Sequence, residues 1–253
     1  MNRRTCILLV PALILALALA ACGVPEPMDG PGMVREPDLT ARIIEDDGTG
    51  LLLAGHNEPY SDVYIVSKEA LTDAGACPDE LRPGEMLVLD FDGSLEETWP
   101  ARLGKVSGVA VMEDGRDRLC QLYLDVLEDL WEKDPALHSG ITMIGFDLAS
   151  TRLTPSEQAA VALIFARDHG DLTPLPGTWQ ELADRGFIDE ENLVWDDGIL
   201  LSVKEKNDET GEVRFDAGAW RSGLGACFFC DCRSKMLLGG DWEPYTVGSE
   251  AVA

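Results

Sequence analysis

Hydrophobic and polar positions follow two patterns along the chain, and the pattern changes near residue 115. Before that point, short runs rich in Leu, Ile and Val are separated by turns that contain Gly, Asp and Pro, which is typical of β-strands. The runs 39–44 and 51–54 flank an Asp-Asp-Gly turn and predict a hairpin. Three further strands are predicted at 63–66, 85–91 and 105–112, with one helical turn at 68–72. Five short strands with one helical turn indicate a small β-barrel.

After residue 115 the apolar positions recur with the period of a helix. Leu119, Leu122, Val126 and Leu130 form one stripe, so an amphipathic helix is predicted that ends before Pro135. Two more helices are predicted because the segments 154–157 (Thr-Pro-Ser-Glu) and 178–181 (Thr-Trp-Gln-Glu) both have the capping-box pattern. Strands are predicted at 141–148, 198–204, 212–216, 225–233 and 241–247.

Part of the first half is similar to a known kind of domain. Residues 81–93 (LRPGEMLVLDFDG) and the following 97–101 (ETWPA) resemble the small OB-like domain of secreted lipoproteins of Gram-positive bacteria. The resemblance brings no activity with it. We therefore expect an α+β protein: an OB-like β-barrel domain over residues 38–114, then an α+β domain over residues 115–253 with helices packed on an antiparallel sheet.

The N-terminus has the pattern of a secretory leader that ends in a lipidation signal. Two arginines precede an apolar stretch over residues 6–20, and small residues follow. The tetrapeptide Leu19-Ala20-Ala21-Cys22 resembles the lipobox of bacterial lipoproteins and matches it at all four positions. The resemblance implies that residues 1–21 are a signal peptide and that Cys22 carries a diacylglyceryl group. An uncleaved membrane helix is the alternative, but the apolar stretch is shorter than the ~20 residues that a span needs.

The next segment, residues 22–37, is expected to be a lipidated and disordered tether. It contains four Pro and three Gly and has no apolar periodicity. The tether separates the lipid on Cys22 from the first predicted strand.

The charge of the chain is strongly negative. It has 46 acidic residues against 20 Lys and Arg, a net charge of −26, which becomes −28 once the two arginines of the signal peptide are removed. Hydrophobic residues make up 45%, so the chain has enough apolar material for packed cores and is not a disordered acidic tail. The acidity argues against binding to nucleic acid, because a protein that binds phosphates needs clustered Lys and Arg. It also argues against direct contact with an anionic membrane surface. Lipid on Cys22 is therefore the expected membrane contact.

Cysteine chemistry centres on a cluster near the C-terminus. Five cysteines remain after cleavage at Cys22 and lipidation of that residue, and three of them, Cys227, Cys230 and Cys232, lie within six residues. Thiolates at this spacing can hold Zn²⁺ or Cu⁺. In a regular strand, however, Cys230 and Cys232 would share one face and Cys227 would lie on the other. A metal site, a disulfide and buried free thiols all stay open.

Other side chains offer few catalytic candidates. His169 is expected to interact with the C-terminal dipole of a helix, and His56 and His138 flank turn residues and are expected to be solvated. No Gly-x-Ser-x-Gly motif is present, so the sequence predicts no catalytic residue. Trp99, beside Pro100 in a predicted barrel loop, is the best candidate for an exposed platform on which a ligand stacks.

These features favour a membrane-anchored surface lipoprotein that acts as a non-catalytic binding or interaction module in the cell envelope. Its expected location is extracytoplasmic, on the cell membrane, with the outer membrane as the alternative in a cell with two membranes. Its partner would be an envelope protein or a glycan, and no cofactor is implied. Two other hypotheses stay open: an envelope hydrolase whose active site is not visible in the sequence, and a metal- or redox-handling lipoprotein that uses Cys227, Cys230 and Cys232.

Overall fold

The structure is a computed structural model that describes residues 38–170, 172–206 and 209–253. The predicted signal peptide, the lipidation site Cys22 and the tether lie outside the described residues. Glu36–Ala253 forms one compact unit. No helix in the described part of the chain is long and apolar enough to cross a membrane.

The first half of this unit forms a seven-stranded sheet in the order β5-β6-β3-β2-β1-β4-β7. Its elements are β1 Asp38–Asp46, β2 Gly50–Gly55, β3 Val63–Ser67, helix α1 Lys68–Asp73, β4 Met86–Phe91, β5 Leu95–Glu96, β6 Ala101–Leu103 and β7 Val106–Val111, with a 3-10 turn at Pro78–Glu80. Neighbouring strands are antiparallel except for the parallel pair β3 and β6. The predicted hairpin, the other three strands and the helical turn are confirmed, and β5 and β6 were not predicted.

The hairpin between β1 and β2 forms because its turn residues satisfy the backbone locally. The Asp47 carboxylate accepts hydrogen bonds from the backbone N–H groups of Thr49 and Gly50, at 2.7 and 2.8 Å. Gly48 has a φ of 87°, a left-handed conformation that glycine adopts without strain. This is the Asp-Gly turn chemistry from which the hairpin was predicted.

The barrel expected for this half is not confirmed. The described strands form a sheet with two ends, β5 and β7, and no closed barrel is found among them. Strands β1, β2 and β3 are neighbours in the sheet, and β4 pairs with the other side of β1. Strand β1 therefore lies inside the sheet and not at its edge.

The second half forms a six-stranded sheet in the order β13-β12-β11-β10-β8-β9, flanked by helices. Its elements are α2 Leu119–Lys133, β8 Met143–Asp147, α3 Pro155–Asp168, β9 Thr173–Pro176, α4 Trp179–Asp184, β10 Gly198–Glu205, β11 Glu212–Ser222, β12 Gly225–Lys235 and β13 Ser249–Val252. All three predicted helices are confirmed, and α3 and α4 begin with the predicted capping boxes. Together the two halves give the α+β fold that the sequence predicts.

The expectation of an antiparallel second sheet is wrong. Strand β8 pairs in parallel with both β9 and β10, so the sheet is mixed. The physical reason is the connection: α3 carries the chain from the end of β8 back along the sheet, so that β9 starts at the same side as β8. Strand β9 was not predicted because its sequence, Thr-Pro-Leu-Pro, contains two prolines.

The prediction of a strand at 241–247 is also wrong. This segment forms no ladder with β12 but only isolated bridges, Arg233 with Thr246 and, one residue past the end of β12, Met236 with Trp242, together with a hydrogen bond from the Glu243 N–H to the Lys235 carbonyl oxygen at 2.8 Å. Pro244 lies between them and has no N–H group to donate to a ladder. The last strand of the sheet is instead β13, Ser249–Val252, which pairs with β12.

The largest hydrophobic core lies between the two sheets and the helices. It contains the apolar stripe of α2, the buried face of α3 and the inner face of the second sheet. Ile44, Leu52, Ala54 and Val63 of the first sheet belong to the same core. A second core lies within the first sheet, around Leu39, Leu53, Leu87 and Phe91, and a smaller third one surrounds Trp195.

A buried carboxylate joins helix α3 to the first sheet. Glu157 is 5% exposed, and its Oε2 accepts a hydrogen bond from the backbone N–H of Thr154 at 2.8 Å, which completes the capping box of α3. Its Oε1 accepts from Arg42 Nε of β1 at 2.7 Å and lies 3.1 Å from His56 Nε2. The Arg42 guanidinium also donates to the carbonyl oxygens of Gly84 and Gly115, at 2.8 and 2.9 Å.

Burial alone would raise the pKa of Glu157, because a carboxylate loses water there. Hydrogen bonds from His56 and from the Thr154 N–H, together with the charge of Arg42, outweigh that effect and hold the pKa at about 2. The native fold therefore binds the ionised form, and the cluster contributes stability only while Glu157 is charged.

We predict that Glu157→Gln lowers the free energy of unfolding by about 3 kcal/mol at pH 7, the scale expected when one partner of a buried ion pair is removed. The pKa of Glu157 is lowered from 4.5 to about 2 on folding. Its stabilisation is thus complete at neutral pH and is lost as the pH falls from 4.5 towards 2. Urea unfolding followed by circular dichroism at pH 7 and pH 3 measures both effects, and the difference between wild type and variant should shrink at pH 3.

Glu181→Gln is the matched control, because Glu181 occupies the same capping-box position in α4 but lies at the surface. It should have a much smaller effect at pH 7. Equal losses for the two variants would show that the capping box matters and the link to Arg42 and His56 does not.

Candidate functional site

The three clustered cysteines lie on β12, but not with the facing that regular alternation predicts. Asp216 of β11 stands opposite two residues of β12, Cys230 and Asp231, so the strand has a β-bulge there. Asp231 has a φ of 54°, and its backbone N–H donates to Asp216 Oδ1 at 2.8 Å. The extra residue shifts the alternation, so Cys227 and Cys232 are both buried in the large core and Cys230 is only half-buried. The expectation that Cys230 and Cys232 share a face is wrong for this reason.

All five cysteines in the described residues are free thiols. Cys77 is exposed, Cys230 is half-buried, and the other three are buried. Burial raises the pKa of Cys232 to about 12 and raises the pKa of Cys120 and Cys227 as well. Within the part of the chain that the structure describes, no group of three or more His, Cys, Asp or Glu side chains is placed to hold a metal ion. Cys227, Cys230 and Cys232 are thus not brought together as ligands.

The histidines are built into the core and its edges. His56 contacts Glu157, and the ring of His138 stacks on Trp131 with centroids 3.9 Å apart. The expectation that these two are solvated is therefore wrong, since each has an aromatic or charged neighbour that covers it. His169 is the C-cap residue of α3, as predicted, with its Nδ1 2.8 Å from the Phe165 carbonyl oxygen.

Trp99 borders an apolar cavity. Its side chain is 52% exposed and lies between β5 and β6. We call the cavity the Trp99 groove; its volume is about 620 Å³, within the range of small-ligand sites. Its lining is Trp99, Phe146, Leu148, Pro155, Gln158, Ala159, Ala162, Pro174 and Pro176.

Periodicity in three elements brings these side chains together. On α3, positions 155, 158, 159 and 162 lie on one helical face, and two of them are alanines that leave room beside the helix. Phe146 of β8 and Leu148, the first residue after that strand, lie two positions apart, are both buried, and form the floor. On β9, Pro174 and Pro176 alternate in the same way and form the outer wall.

The Trp99 groove has the chemistry of a binding site. No titratable side chain lines it, and Gln158 is the one residue of its lining with a polar side chain besides the indole of Trp99. Such a surface can bury apolar groups of a ligand, with about 25 cal/mol for each Å² of apolar area removed from water. It offers no general acid, base or nucleophile for a reaction.

The sequence pointed to Trp99 but missed the rest of the groove. Its walls come from residues 146–176, far from Trp99 along the chain, and no periodic pattern marks their meeting. The two prolines at alternate positions in 173–176 are compatible with an edge strand, but they are equally compatible with a loop and so gave no signal.

Two more cavities lie along α2 and differ from the Trp99 groove in charge. The first, of about 550 Å³, is lined by Asp125, Asp129, Asp241 and Glu243 beside Trp242 and Tyr245. The second, of about 400 Å³, is bordered by Glu45, Asp46, Glu128 and Asp168. Both cavities are therefore clefts lined by several carboxylates, unlike the Trp99 groove.

Comparison of the chain with protein families, with curated proteins and with solved structures finds no match. Function must therefore be argued from the geometry of the chain itself.

We predict that one of the five thiols of the described residues, Cys77, reacts with Ellman's reagent within seconds to minutes at pH 8. Cys230 should react more slowly, and Cys120, Cys227 and Cys232 should react only as the fold opens, because burial keeps them protonated and covered. The measurement uses residues 22–253 with Cys22→Ser, and five thiols should titrate in denaturant without reductant. Cys77→Ser should remove the fast phase alone; fewer than five thiols in denaturant would instead reveal a disulfide.

Proposed function

We propose that the protein is a lipid-anchored, extracytoplasmic binding protein of the cell envelope that holds an apolar group of its ligand in the Trp99 groove. The single observation that carries the proposal is the groove itself, an apolar cavity of about 620 Å³ with an exposed tryptophan at its edge and no titratable side chain in its lining. The protein thus acts by binding rather than by catalysis.

The anchor rests on the N-terminal sequence. Leu19-Ala20-Ala21-Cys22 matches the lipobox pattern, and the residues before it have the order of a secretory leader. A mature chain with a net charge of −28 is repelled by anionic headgroups. Acyl chains on Cys22 explain how such a chain stays at a membrane, since each buried CH₂ contributes ~0.8 kcal/mol.

The binding role is supported by the position of Trp99. Its half-exposed indole lines the same cavity as Phe146, Leu148 and two prolines, so it belongs to an apolar surface rather than standing alone. An apolar ligand would cover the indole and the groove together. The proposed partner is an envelope protein or a glycan.

We also propose that the first sheet is an OB-like barrel whose closing strand is interrupted. Only Gly104 and Lys105 separate β6 from β7. β6 pairs with β3, whereas β7 pairs with β4. If β6 and β7 are one bent strand, the order runs from β3 through this strand to β4, β1 and β2 and back to β3, which is a closed circuit. Helix α1 between β3 and β4 fits the same plan.

We predict that Cys22→Ser abolishes metabolic labelling of the protein with radioactive palmitate and releases it from the membrane fraction. The reason is that the sulfur of Cys22 is the proposed site of acylation. Cys77→Ser is the control, since Cys77 is the exposed cysteine of the described residues, and it should label normally. Labelling that persists in the Cys22→Ser variant would contradict the lipid anchor.

We predict that the neutral dye N-phenyl-1-naphthylamine binds in the Trp99 groove and brightens there. Trp99→Ala should lower the affinity for the dye about tenfold, equivalent to about 1.4 kcal/mol of binding free energy. Ala159→Leu should weaken it similarly because the larger side chain fills the groove. Leu224→Ala, at the exposed tip between β11 and β12, removes apolar surface elsewhere and should change nothing. Unchanged binding by the two groove variants would contradict the site.

A further inference from the structure

We propose that the Trp99 groove recognises a proline-containing apolar peptide segment flanked by Lys or Arg, held in the polyproline II conformation. The proposal rests on the proposed function, in which this groove is the binding site, and it names the chemistry of the ligand. Four observations on the groove and its surroundings carry it.

The first observation is that β9 cannot accept another strand. The N–H groups of Thr173 and Gly177 point to β8, where they donate to the carbonyl oxygens of Thr142 and Phe146 at 3.0 and 3.1 Å. The alternate positions, whose N–H groups would face outwards, are Pro174 and Pro176, which have none. The carbonyl oxygen of Pro176 already accepts from Arg185 Nη1 at 2.9 Å. A ligand therefore binds across the proline rings and not by strand addition.

The second observation is the size of the apolar face. From Pro155 to Ala162 the groove follows two turns of α3, about 10 Å at 1.5 Å per residue. A polyproline II helix rises about 3.1 Å per residue, so about three residues of it cover this length. Small side chains at 159 and 162 leave the space beside α3, and the flat indole of Trp99 bounds it.

The third observation is the supply of hydrogen-bonding groups. Gln158 Nε2 donates to the Leu153 carbonyl oxygen at 2.9 Å, which leaves Gln158 Oε1 as an acceptor. Within the described residues neither this oxygen nor the indole N–H of Trp99 has a hydrogen-bond partner. One acceptor and one donor suit the amide groups of a polyproline II segment, which makes no internal hydrogen bonds. A sugar would bury many hydroxyls against a face that cannot pair them.

The fourth observation is charge. The chain carries a net charge of −26, and Glu97, two residues before Trp99, is exposed without an ion pair in the described structure. A ligand with Lys or Arg beside its apolar residues is attracted to such a surface, and one with carboxylates or phosphates is repelled. The same field that repels anionic headgroups therefore selects a basic peptide.

The test is calorimetric titration of the complete mature chain, residues 22–253 with Cys22→Ser, at low ionic strength. The probe is an acetylated and amidated octapeptide with four prolines and two leucines between terminal lysines. We expect it to bind, and we expect Trp99→Ala and Ala159→Leu to weaken it at least tenfold. Leu224→Ala should stay within twofold, and Glu97→Gln should weaken binding about twofold. Far-UV circular dichroism checks that the variants are folded.

Two matched peptides separate the elements of the proposal. Replacement of both lysines by glutamates should weaken binding at least tenfold at low salt, and replacement of both leucines by serines should do the same. Equal affinity of the lysine and glutamate peptides would overturn the charge argument, and binding that ignores Trp99→Ala would overturn the site.

The dye experiment distinguishes the two levels of the argument. If the dye binds in a Trp99-dependent way but the lysine peptide neither binds nor displaces it, the peptide proposal fails and the groove stands as a binding site. Displacement of the dye by monomeric monolaurin under those conditions would identify an acyl chain as the ligand instead. If neither the dye nor the peptide binds, the proposed function fails as well.

Discussion

The buried carboxylate of Glu157 fixes the position of helix α3, and most other relations in the fold follow from that helix. One oxygen completes the capping box at the start of α3, and the other accepts from Arg42 of β1 beside His56. Ser156, the neighbouring residue, donates to the Gly55 carbonyl oxygen at the end of β2, at 2.6 Å. The N-terminal turn of α3 is thus attached to the first sheet, and the buried face of the helix packs in the core that both sheets share.

This attachment explains how the Trp99 groove can exist. Trp99 lies in the loop between β5 and β6 of the first sheet, whereas Phe146, Pro174 and Pro176 lie in strands of the second. The two sets meet across Pro155, which is the first residue of α3 and lies two positions from Glu157. A shift of the helix start would separate the indole from the floor of the groove. The contacts of Glu157 therefore fix the start of the helix that lines the Trp99 groove.

The features of the fold that could be predicted from the sequence are those that depend on residues close together in the chain. The capping boxes at Thr154 and Thr178 and the hairpin at Gly48 are decided within four residues, and the apolar stripe of α2 within fifteen. The capping-box pattern is the same at both helices, so it does not predict that Glu157 is buried and Glu181 is exposed. That difference depends on Arg42 and His56, which lie more than a hundred residues earlier.

The errors have a common physical origin in the alternation of strands. One extra residue at Asp231 was enough to place Cys227 and Cys232 on the same face, and a bulge of this kind has no mark in the sequence. The segment 241–247 contains the aromatic and β-branched residues of a strand, but Pro244 prevents a ladder. The direction of β9 was set by the crossover through α3, which strand periodicity cannot reveal.

The two prolines of β9 have a double role that unites the fold with the proposed ligand. At the edge of the sheet they remove the outward N–H groups, which keeps the strand from pairing with other chains. On the side of α3 the same rings form the wall of the groove. An edge strand protected by charge would carry Lys or Glu at these positions and would leave no apolar wall. Proline at these positions prevents another strand from pairing with the edge, but its rings leave an apolar surface on which flat, apolar groups can pack. The net charge of the whole chain, −26, favours ligands among these that carry positive charge.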